Sequence, residues 1–344
     1  MHVNDLLKIA VEQGASDLHI KVGSFPMMRI RGLLVPASTG KRLDHEDVVA
    51  MSAAVMSSAQ RQKFKDAQDV DLAYSVPGLG RFRCNVFQQR GTVGLVLRVI
   101  PMQIRSIDEL GLPPVLKKIA SEERGLVLVT GSTGSGKSTS LAAMIDYINQ
   151  TRCAHVITVE DPIEFLHRDA RSIINQREVS VDTRSFAQAL RSALRQDPDV
   201  ILVGEMRDLE TISTAITAAE TGHLVFATLH TLDAAQTIDR IIDVFPAHQQ
   251  PQTRVQLAGT LQGVVAQQLL PHASGKGRVV ATEILWVTAA VRNLIREAKT
   301  FQIPSVLQSG ARYGMQTMDQ SLASLVTSGA LDREIAFEIG RAHV

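Results

Sequence analysis

The chain has 344 residues, of which 45% are hydrophobic and 21% are charged, and its formal net charge is +1. Such values are ordinary for a globular protein, and the length suggests two domains. The sequence has no run of about 18 apolar residues and no basic segment followed by an apolar core, so neither a membrane span nor a secretion signal is predicted. Cys84 and Cys153 are the only cysteines and are far apart, which excludes a disulfide framework or a cysteine-based metal site. We therefore expect a cytosolic protein.

The first hundred residues predict a small α/β domain. Apolar spacing predicts helices over 3–13 and over 44–65, with Asp44 as the N-cap of the second. Alternating residues predict strands at 17–22, 28–31, 33–36, 81–87 and 93–100. On the strand 81–87, Phe82 and Cys84 share one face, and Arg81 and Arg83 share the other.

Prolines mark a linker, which we place at 101–114 after an N-terminal domain of residues 1–100. Apolar strands at 126–130, 155–159, 200–204 and 223–229 then alternate with helical segments. This rhythm is typical of a parallel sheet covered on both faces, and it defines a core domain at 115–270. Beyond about residue 250 the chain is predicted to be mostly helical, with one late strand at 279–285, and residues 271–344 form a mainly helical C-terminal region.

A glycine-rich segment lies between the strand 126–130 and the start of a helix. Strand, loop and helix in this order form the P-loop arrangement, in which backbone N–H groups and the helix N-terminus bind phosphates. Lys137 is expected to contact the β- and γ-phosphates, and Ser138 to supply an oxygen to Mg²⁺. The predicted ATP-binding residues are Ser132, Thr133, Gly134, Ser135, Gly136, Lys137, Ser138 and Thr139.

Carboxylates follow two of the predicted strands, at the end where an open α/β sheet places its ligands. Glu160 and Glu164 follow the strand 155–159, where they suit Mg²⁺ coordination or activation of water; the alternative is a solvated acidic turn. Glu205 follows the strand 200–204, and Gly204 occupies the position of the usual magnesium-binding Asp. We predict Glu205 as the residue that polarises the attacking water, with Glu164 as the second candidate. Ser138 and Glu160 are the predicted metal ligands.

His230 lies just past a further strand end, where P-loop proteins often place a residue that senses the γ-phosphate. A structural histidine is the alternative.

Residues 1–105 carry 14 Lys and Arg against 9 Asp and Glu, whereas the remainder carries 22 against 26. Arg81, Arg83 and Arg98, on predicted strands of the N-terminal domain, are candidates for stabilising the transition state of phosphoryl transfer, the alternative being a solvated basic face. Arg191 and Arg195 are predicted to pair with carboxylates in a subunit contact.

Taken together, these segments resemble the secretion-type ATPases and, within them, the PilT-like motors that retract type IV pili. The matching segments are 131–139, 158–164, 194–211, 221–231, Ser16–His19 and Arg81–Arg83. Gly204 is part of that family's own pattern. Residues 290–297 resemble a C-terminal motif associated with retraction and differ from it at Val291.

The resemblance implies a RecA-like P-loop ATPase domain, a smaller PAS-like N-terminal domain and a helical C-terminal region. It also implies a homohexamer that binds ATP and Mg²⁺ between the two domains, with the N-terminal arginines approaching the phosphates from within or across subunits. Domain closure about the linker would be passed round the ring to a platform protein of the inner membrane at the pilus base. The expected location is cytoplasmic and peripheral to that membrane, a PilU-like paralogue is a possible partner, and no nucleic-acid partner is expected.

Other functions stay open at this point. A PilU-like accessory retraction ATPase and an ATPase of pilus extension or type II secretion are the nearest alternatives. A RecA-like DNA translocase shares some motifs, but an aromatic content of 4% leaves few platforms for base stacking. A scaffold that binds ATP without turnover is a further alternative, against which the presence of both Glu205 and His230 argues.

Overall fold

In the computed structural model, residues 2–37, 41–101 and 103–342 are described. The chain divides into two compact units, Met1–Gln103 and Ile104–Val344. The predicted domains include residues 1, 38–40, 102, 343 and 344, which lie outside the described residues. The finer division, with a linker at 101–114 and a C-terminal region from 271, remains a prediction.

The first unit is a six-stranded antiparallel sheet with helices. Its strands follow the order β3-β2-β1-β6-β5-β4. In chain order, the elements are α1 (Val3–Glu12), β1 (Asp17–Lys21), β2 (Met27–Ile30), β3 (Leu33–Pro36), α2 (His45–Val55), α3 (Ser58–Ala67), β4 (Asp69–Val76), β5 (Gly80–Gln89) and β6 (Thr92–Val99).

The two faces of this sheet differ as the alternation predicts. Phe82 and Cys84 of β5 are fully buried in a core shared with α1 and α2, whereas Arg83 is exposed. On the polar face, Asp17 of β1 lies opposite Arg98 of β6, and Arg98 lies opposite Arg83 of β5. The Arg98 guanidinium donates to the Asp17 carboxylate at 2.9 Å. This face therefore carries a cross-strand row in which one aspartate lies beside several arginines.

The prediction of a single helix over 44–65 is wrong, because the structure breaks it into α2 and α3. Met56 is extended, and Ser57 begins a new helix as its N-cap. The Ser57 side chain accepts from the N–H of Gln60, and the Gln60 side chain accepts from the N–H of Ser57. A capping box of this kind stabilises a helix start, and at this position it outweighs the continuous apolar spacing.

The second unit is built on a seven-stranded sheet of order β13-β12-β7-β11-β10-β8-β9. Its strands are parallel except for the antiparallel pair β12 and β13. The elements are α4 (Val115–Ala120), β7 (Gly125–Thr130), α5 (Lys137–Thr151), β8 (His155–Glu160), β9 (Ile173–Glu178), α6 (Phe186–Ala193), β10 (Val200–Val203), α7 (Leu209–Glu220), β11 (Leu224–Leu229), α8 (Ala234–Asp243), α9 (Gln250–Thr260), β12 (Leu261–Pro271), β13 (Arg278–Trp286), α10 (Ala289–Arg296), α11 (Ile303–Ser309), α12 (Met318–Thr327) and α13 (Arg333–Ala342).

Three strands were absent from the sequence prediction: β4, β9 and β12. The largest omission is β12, which occupies 11 residues of a region expected to be helical. Gln267 of this strand is buried although it is polar. The strand therefore lacks the alternation of apolar and polar residues by which a half-buried strand is recognised in a sequence. The strand β9 is polar because it lies at the edge of the sheet, where only one of its sides pairs with another strand. Among the described helices, none has the length and apolar character needed to cross a membrane.

Candidate nucleotide-binding site

The glycine-rich loop connects β7, which is buried throughout, to the N-terminus of α5. The helix begins at Lys137, and its N-cap Gly136 has a φ of 91°, in the left-handed region that glycine tolerates. Gly134 also has a positive φ, and a Cβ there would meet nothing within 4 Å, so backbone conformation requires that glycine. The loop thus directs backbone N–H groups and a helix N-terminus towards one point, which suits an anion.

The ammonium group of Lys137 lies over this loop. Its Nζ donates to the carbonyl oxygens of Gly131 at 2.8 Å and Ser132 at 3.0 Å. Burial lowers the pKa of Lys137, and the carboxylates of Glu205 and Glu164 act in the opposite direction. Both glutamates therefore lie close enough to Lys137 to interact with its charge, as the sequence analysis expected of a common site.

A cleft of about 400 Å³ opens beside the loop, entirely within the second unit. It brings together predicted residues from four separate segments. Those lining it are Thr133, Gly134, Gly136, Lys137, Ser138, Thr139, Glu160, Glu164, Glu205 and His230. Of the other predicted loop residues, Ser132 is exposed beside this cleft, and Ser135 is buried and lines a neighbouring cavity.

Gly204, at the end of β10, explains why the usual aspartate is absent there. A Cβ at this position would lie 3.1 Å from the carbonyl oxygen of Val159 and 3.2 Å from the Cα of Glu160. The N–H of Gly204 donates to that same carbonyl at 2.7 Å, which holds the ends of β8 and β10 together. A side chain at position 204 would therefore force the end of β8 to move, which favours glycine, and the carboxylates of the cleft come from neighbouring residues.

Glu205 makes two polar contacts at the edge of the cleft. His230 Nε2 lies 2.9 Å from Oε1, and Arg207 Nη2 lies 2.7 Å from Oε2. The hydrogen bond from Arg207 holds the pKa of the Glu205 carboxyl below its usual value. Glu205 is consequently ionised at neutral pH, with one oxygen directed to His230 and the other to Arg207.

Glu160 is held at the end of β8 by two donors to the same oxygen. Thr158 Oγ1 donates to Oε1 at 2.6 Å, and Gln176 Nε2 of β9 donates to it at 3.1 Å. Burial raises the pKa of the Glu160 carboxyl. Glu164, four residues later, is exposed at the cleft.

These residues fit a magnesium ion that arrives with a phosphate. Within residues 2–37, 41–101 and 103–342, no group of three or more His, Cys, Asp or Glu side chains could hold a metal alone. Mg²⁺ is usually held by one or two protein oxygens together with substrate phosphates, so a cluster of three is not needed. Glu160, whose Oε1 is already oriented by two donors, and the Ser138 hydroxyl line the same cleft.

The predicted arginines are placed differently from one another. Arg81 and Arg83 belong to β5 of the first unit, on its polar face. Arg191 forms an ion pair with Glu210 of the same chain, between α6 and α7, and its role in a subunit contact stays a prediction. Arg195 remains a prediction.

Sequence reasoning missed several residues in or beside the cleft. Arg207 follows Glu205 by two positions, bonds to it and lines a neighbouring cavity. Arg278 and Leu269 reach the cleft from β13 and β12, and Phe186 reaches it from α6. Leu269 and Arg278 reach the cleft through the pairing of distant strands, which the sequence did not predict. Arg207 could have been found from the sequence, because it lies two positions after Glu205.

The buried strand, the phosphate-binding loop and the carboxylates at neighbouring strand ends define a P-loop ATPase. The chain belongs to the family of type II/IV secretion system proteins, whose sequence model matches residues 1–334.

Two relatives come from Pseudomonas aeruginosa. A protein named Type IV pilus retractation ATPase PilT is 51% identical over 338 residues, which are 98% of each chain. The Type IV pilus ATPase PilU is 44% identical over 343 residues, all of this chain and 88% of that one. A crystal structure described as the pilus retraction motor PilT and bound ADP has 50% identity, covers 98% of this chain and 96% of its own, and superimposes with a TM-score of 0.90. The fold and the enzyme class expected from the sequence are thereby confirmed.

Proposed function

We propose that this ATPase is a hexameric motor that powers retraction of type IV pili, and hence twitching motility. The observation that carries the proposal is the cleft in which Lys137, Glu205 and His230 meet. Likeness to a retraction ATPase over 98% of both chains supports the choice of pilus retraction among the family's activities.

The triphosphate of ATP would occupy the cleft beside the loop. A second cavity of about 390 Å³ shares Gly136, Thr139 and Arg278 with it and extends to Leu110 and Val280. A nucleotide with its terminal phosphates at Lys137 would place its sugar and base on that side, where apolar and cationic side chains are both present. The expected order along the loop is therefore γ-phosphate towards Glu205 and nucleoside towards Leu110.

Hydrolysis would use groups from three strand ends. Ser138 and Glu160 would hold Mg²⁺, which supplies charge neutralisation at the β- and γ-phosphates when bound. Glu205, ionised and at the cleft, would polarise the attacking water, and Glu164 is the second candidate for that task. His230, bonded to Glu205, would register the presence of the γ-phosphate.

Arg81 and Arg83 are proposed to stabilise charge on the transferred phosphoryl group. Arg83 has no hydrogen-bond or ion-pair partner among the residues that the structure describes, and it lies directly opposite Arg98 on the sheet. Like charges directly opposite each other in a sheet are unfavourable, so an anion bound on this face would relieve repulsion. Such arginines contribute roughly 10³–10⁵ in rate in other phosphoryl-transfer enzymes.

At the level of the assembly, we propose a homohexamer at the cytoplasmic side of the inner membrane, docked on the pilus platform protein. Hydrolysis and release would let each N-terminal domain swing about the linker at 101–114, a hinge closure passed round the ring. A PilU-like paralogue would be a further partner.

Two measurements test this function. The purified protein should release phosphate from ATP in a Mg²⁺-dependent manner, and the activity should not rise several-fold with DNA, as it would for a DNA translocase. Deletion of the gene in the native host should leave surplus pili that do not retract. Absence of pili in the deletion strain would instead mean extension, and normal retraction would point to an accessory role.

A further inference from the structure

Gln267 of β12 is a buried polar residue that no motif in the sequence singles out. Its side chain is 1% exposed, and its Nε2 donates to the carbonyl oxygen of Ser135 at 2.8 Å. The two residues are 132 positions apart in the chain and meet because β12 pairs with β7, the strand that leads into the phosphate-binding loop. Gln267 thus contacts the middle of that loop from the adjacent strand.

Both ends of the loop are shaped around the same residue. A Cβ on Gly131 would lie 2.3 Å from the backbone oxygen of Gln267, and a Cβ on Gly136 would lie 3.1 Å from its Nε2. The contact at Gly131 is too close for any side chain, and the contact at Gly136 is tight. The backbone of β12 therefore requires a glycine at 131, and the Gln267 amide lies in close contact with Gly136.

The orientation of the Gln267 amide follows from its partner. A carbonyl oxygen accepts and cannot donate, so the NH₂ end of the amide must face Ser135. The other end, Oε1, is buried without a partner among the described residues, beside the second cavity. The amide is therefore oriented by the backbone of the loop, which points to a role beyond packing.

That role follows from what a phosphate-binding loop requires. Its N–H groups bind an anion well only when they are fixed in a convergent arrangement before the anion arrives. Glycines make the loop adaptable but leave it with much conformational freedom. A hydrogen bond to the carbonyl of Ser135 fixes the peptide unit between Ser135 and Gly136, immediately before α5 begins at Lys137.

We propose that Gln267 is a positioning residue that preorganises the phosphate-binding loop for the nucleotide. The inference rests on the proposed nucleotide binding, and it adds that β12, which carries none of the family's motifs, sets the affinity of the loop. Gln267 acts through the loop and does not itself need to contact the phosphates.

The test uses the full-length protein and the equilibrium binding of Mg·ADP. Gln267→Met keeps the side-chain length and removes the donor, and we expect the dissociation constant to rise about tenfold, the size expected when one buried hydrogen bond of a binding site is lost. Gln268→Met is the matched control: it is the next residue on the strand, it lines neither cavity, and it should change binding by less than about twofold. Binding is measured at a temperature where both variants are folded without nucleotide.

Gln267→Leu provides a second variant, should the methionine variant fail to fold. Its side chain has no donor for Ser135 and should weaken ADP binding to a similar extent. Unchanged ADP affinity in either folded variant would overturn the inference. Lys137→Ala distinguishes failure of this inference from failure of the proposed nucleotide site. If Lys137→Ala loses ADP binding while the Gln267 variants keep it, only the role of Gln267 is wrong. If Lys137→Ala binds ADP normally, the nucleotide site itself is wrong.

Discussion

At the scale of single residues, the chemistry of the cleft centres on the contacts of Glu205. One oxygen of the carboxylate contacts His230 and the other contacts Arg207. Sequence analysis identified Glu205 and His230 because both follow buried strands. It did not identify Arg207, whose guanidinium bonds to the second oxygen of the Glu205 carboxylate.

Arg207→Ala should therefore change the pH dependence of ATP hydrolysis. In the native protein, the hydrogen bond from Arg207 lowers the pKa of Glu205, so the carboxylate stays ionised to low pH and activity is lost only as the pH falls through that lowered value. Without Arg207, the pKa rises towards the ordinary value, and the acidic limb of the kcat profile should move to higher pH. Arg312→Ala, which removes an arginine that stacks on Tyr313, is the control and should leave the profile in place.

Glu205→Gln should leave ATP binding largely intact and reduce turnover at least about a hundredfold, as expected when a general base is lost. Phosphate release and nucleotide affinity, measured on the same preparation, separate the two effects. Near-normal turnover in this variant, with a large loss in Glu164→Gln, would transfer the role to Glu164.

At the scale of secondary-structure elements, the site depends on how closely strand ends approach one another. β8 and β10 are joined by the bond from Gly204 N–H to the Val159 carbonyl, and this contact places Glu160 next to Glu205 along the edge of the sheet. The order of the strands was not predicted, and neither was β12, since neither follows from local periodicity. The loop, by contrast, was identified correctly because its residues are consecutive.

Gly204→Ala tests the close approach of these strands. A methyl group 3.1 Å from the Val159 oxygen should destabilise the second unit by about 1–3 kcal/mol, the usual cost of overpacking. Gly259→Ala is the matched control, because it lies in α9 with nothing within 4 Å of its Cβ position and should stabilise by about 0.5–1 kcal/mol. Urea unfolding of both variants would show opposite signs; a neutral Gly204→Ala would contradict the packing argument.

At the scale of the whole molecule, the proposed catalysis gives a reason for the unequal distribution of charge between the two units. The first unit carries arginines on the polar face of its sheet, and the second holds a carboxylate-lined cleft with one lysine. If the arginines serve the site of a neighbouring subunit, the ring is required for catalysis and not only for mechanical output.

Mixing of two inactive variants would reveal such sharing. A protein with Arg81→Ala and Arg83→Ala keeps the nucleotide site, and Lys137→Ala keeps the arginines. We expect each to hydrolyse ATP slowly alone and a mixture, after subunit exchange, to recover a substantial part of the native rate. Failure to recover in mixed hexamers, whose formation is checked by mass, would mean that the arginines act within their own subunit.

The sequence by itself was enough to predict the glycine-rich loop between a buried strand and a helix, the ATPase class and the alternating faces of β5. Each of these depends on residues that are neighbours in the chain, and their spacing and glycine content can be read directly from the sequence. Only the tertiary structure showed that Gln267 donates a hydrogen bond to a loop 132 positions away and that Arg207 bonds to an oxygen of Glu205. It also showed that a Cβ at Gly204 would lie tightly against the Val159 carbonyl. Those features arise from the pairing of distant strands and from side-chain orientation, which the packing of the sheet fixes and local pattern does not.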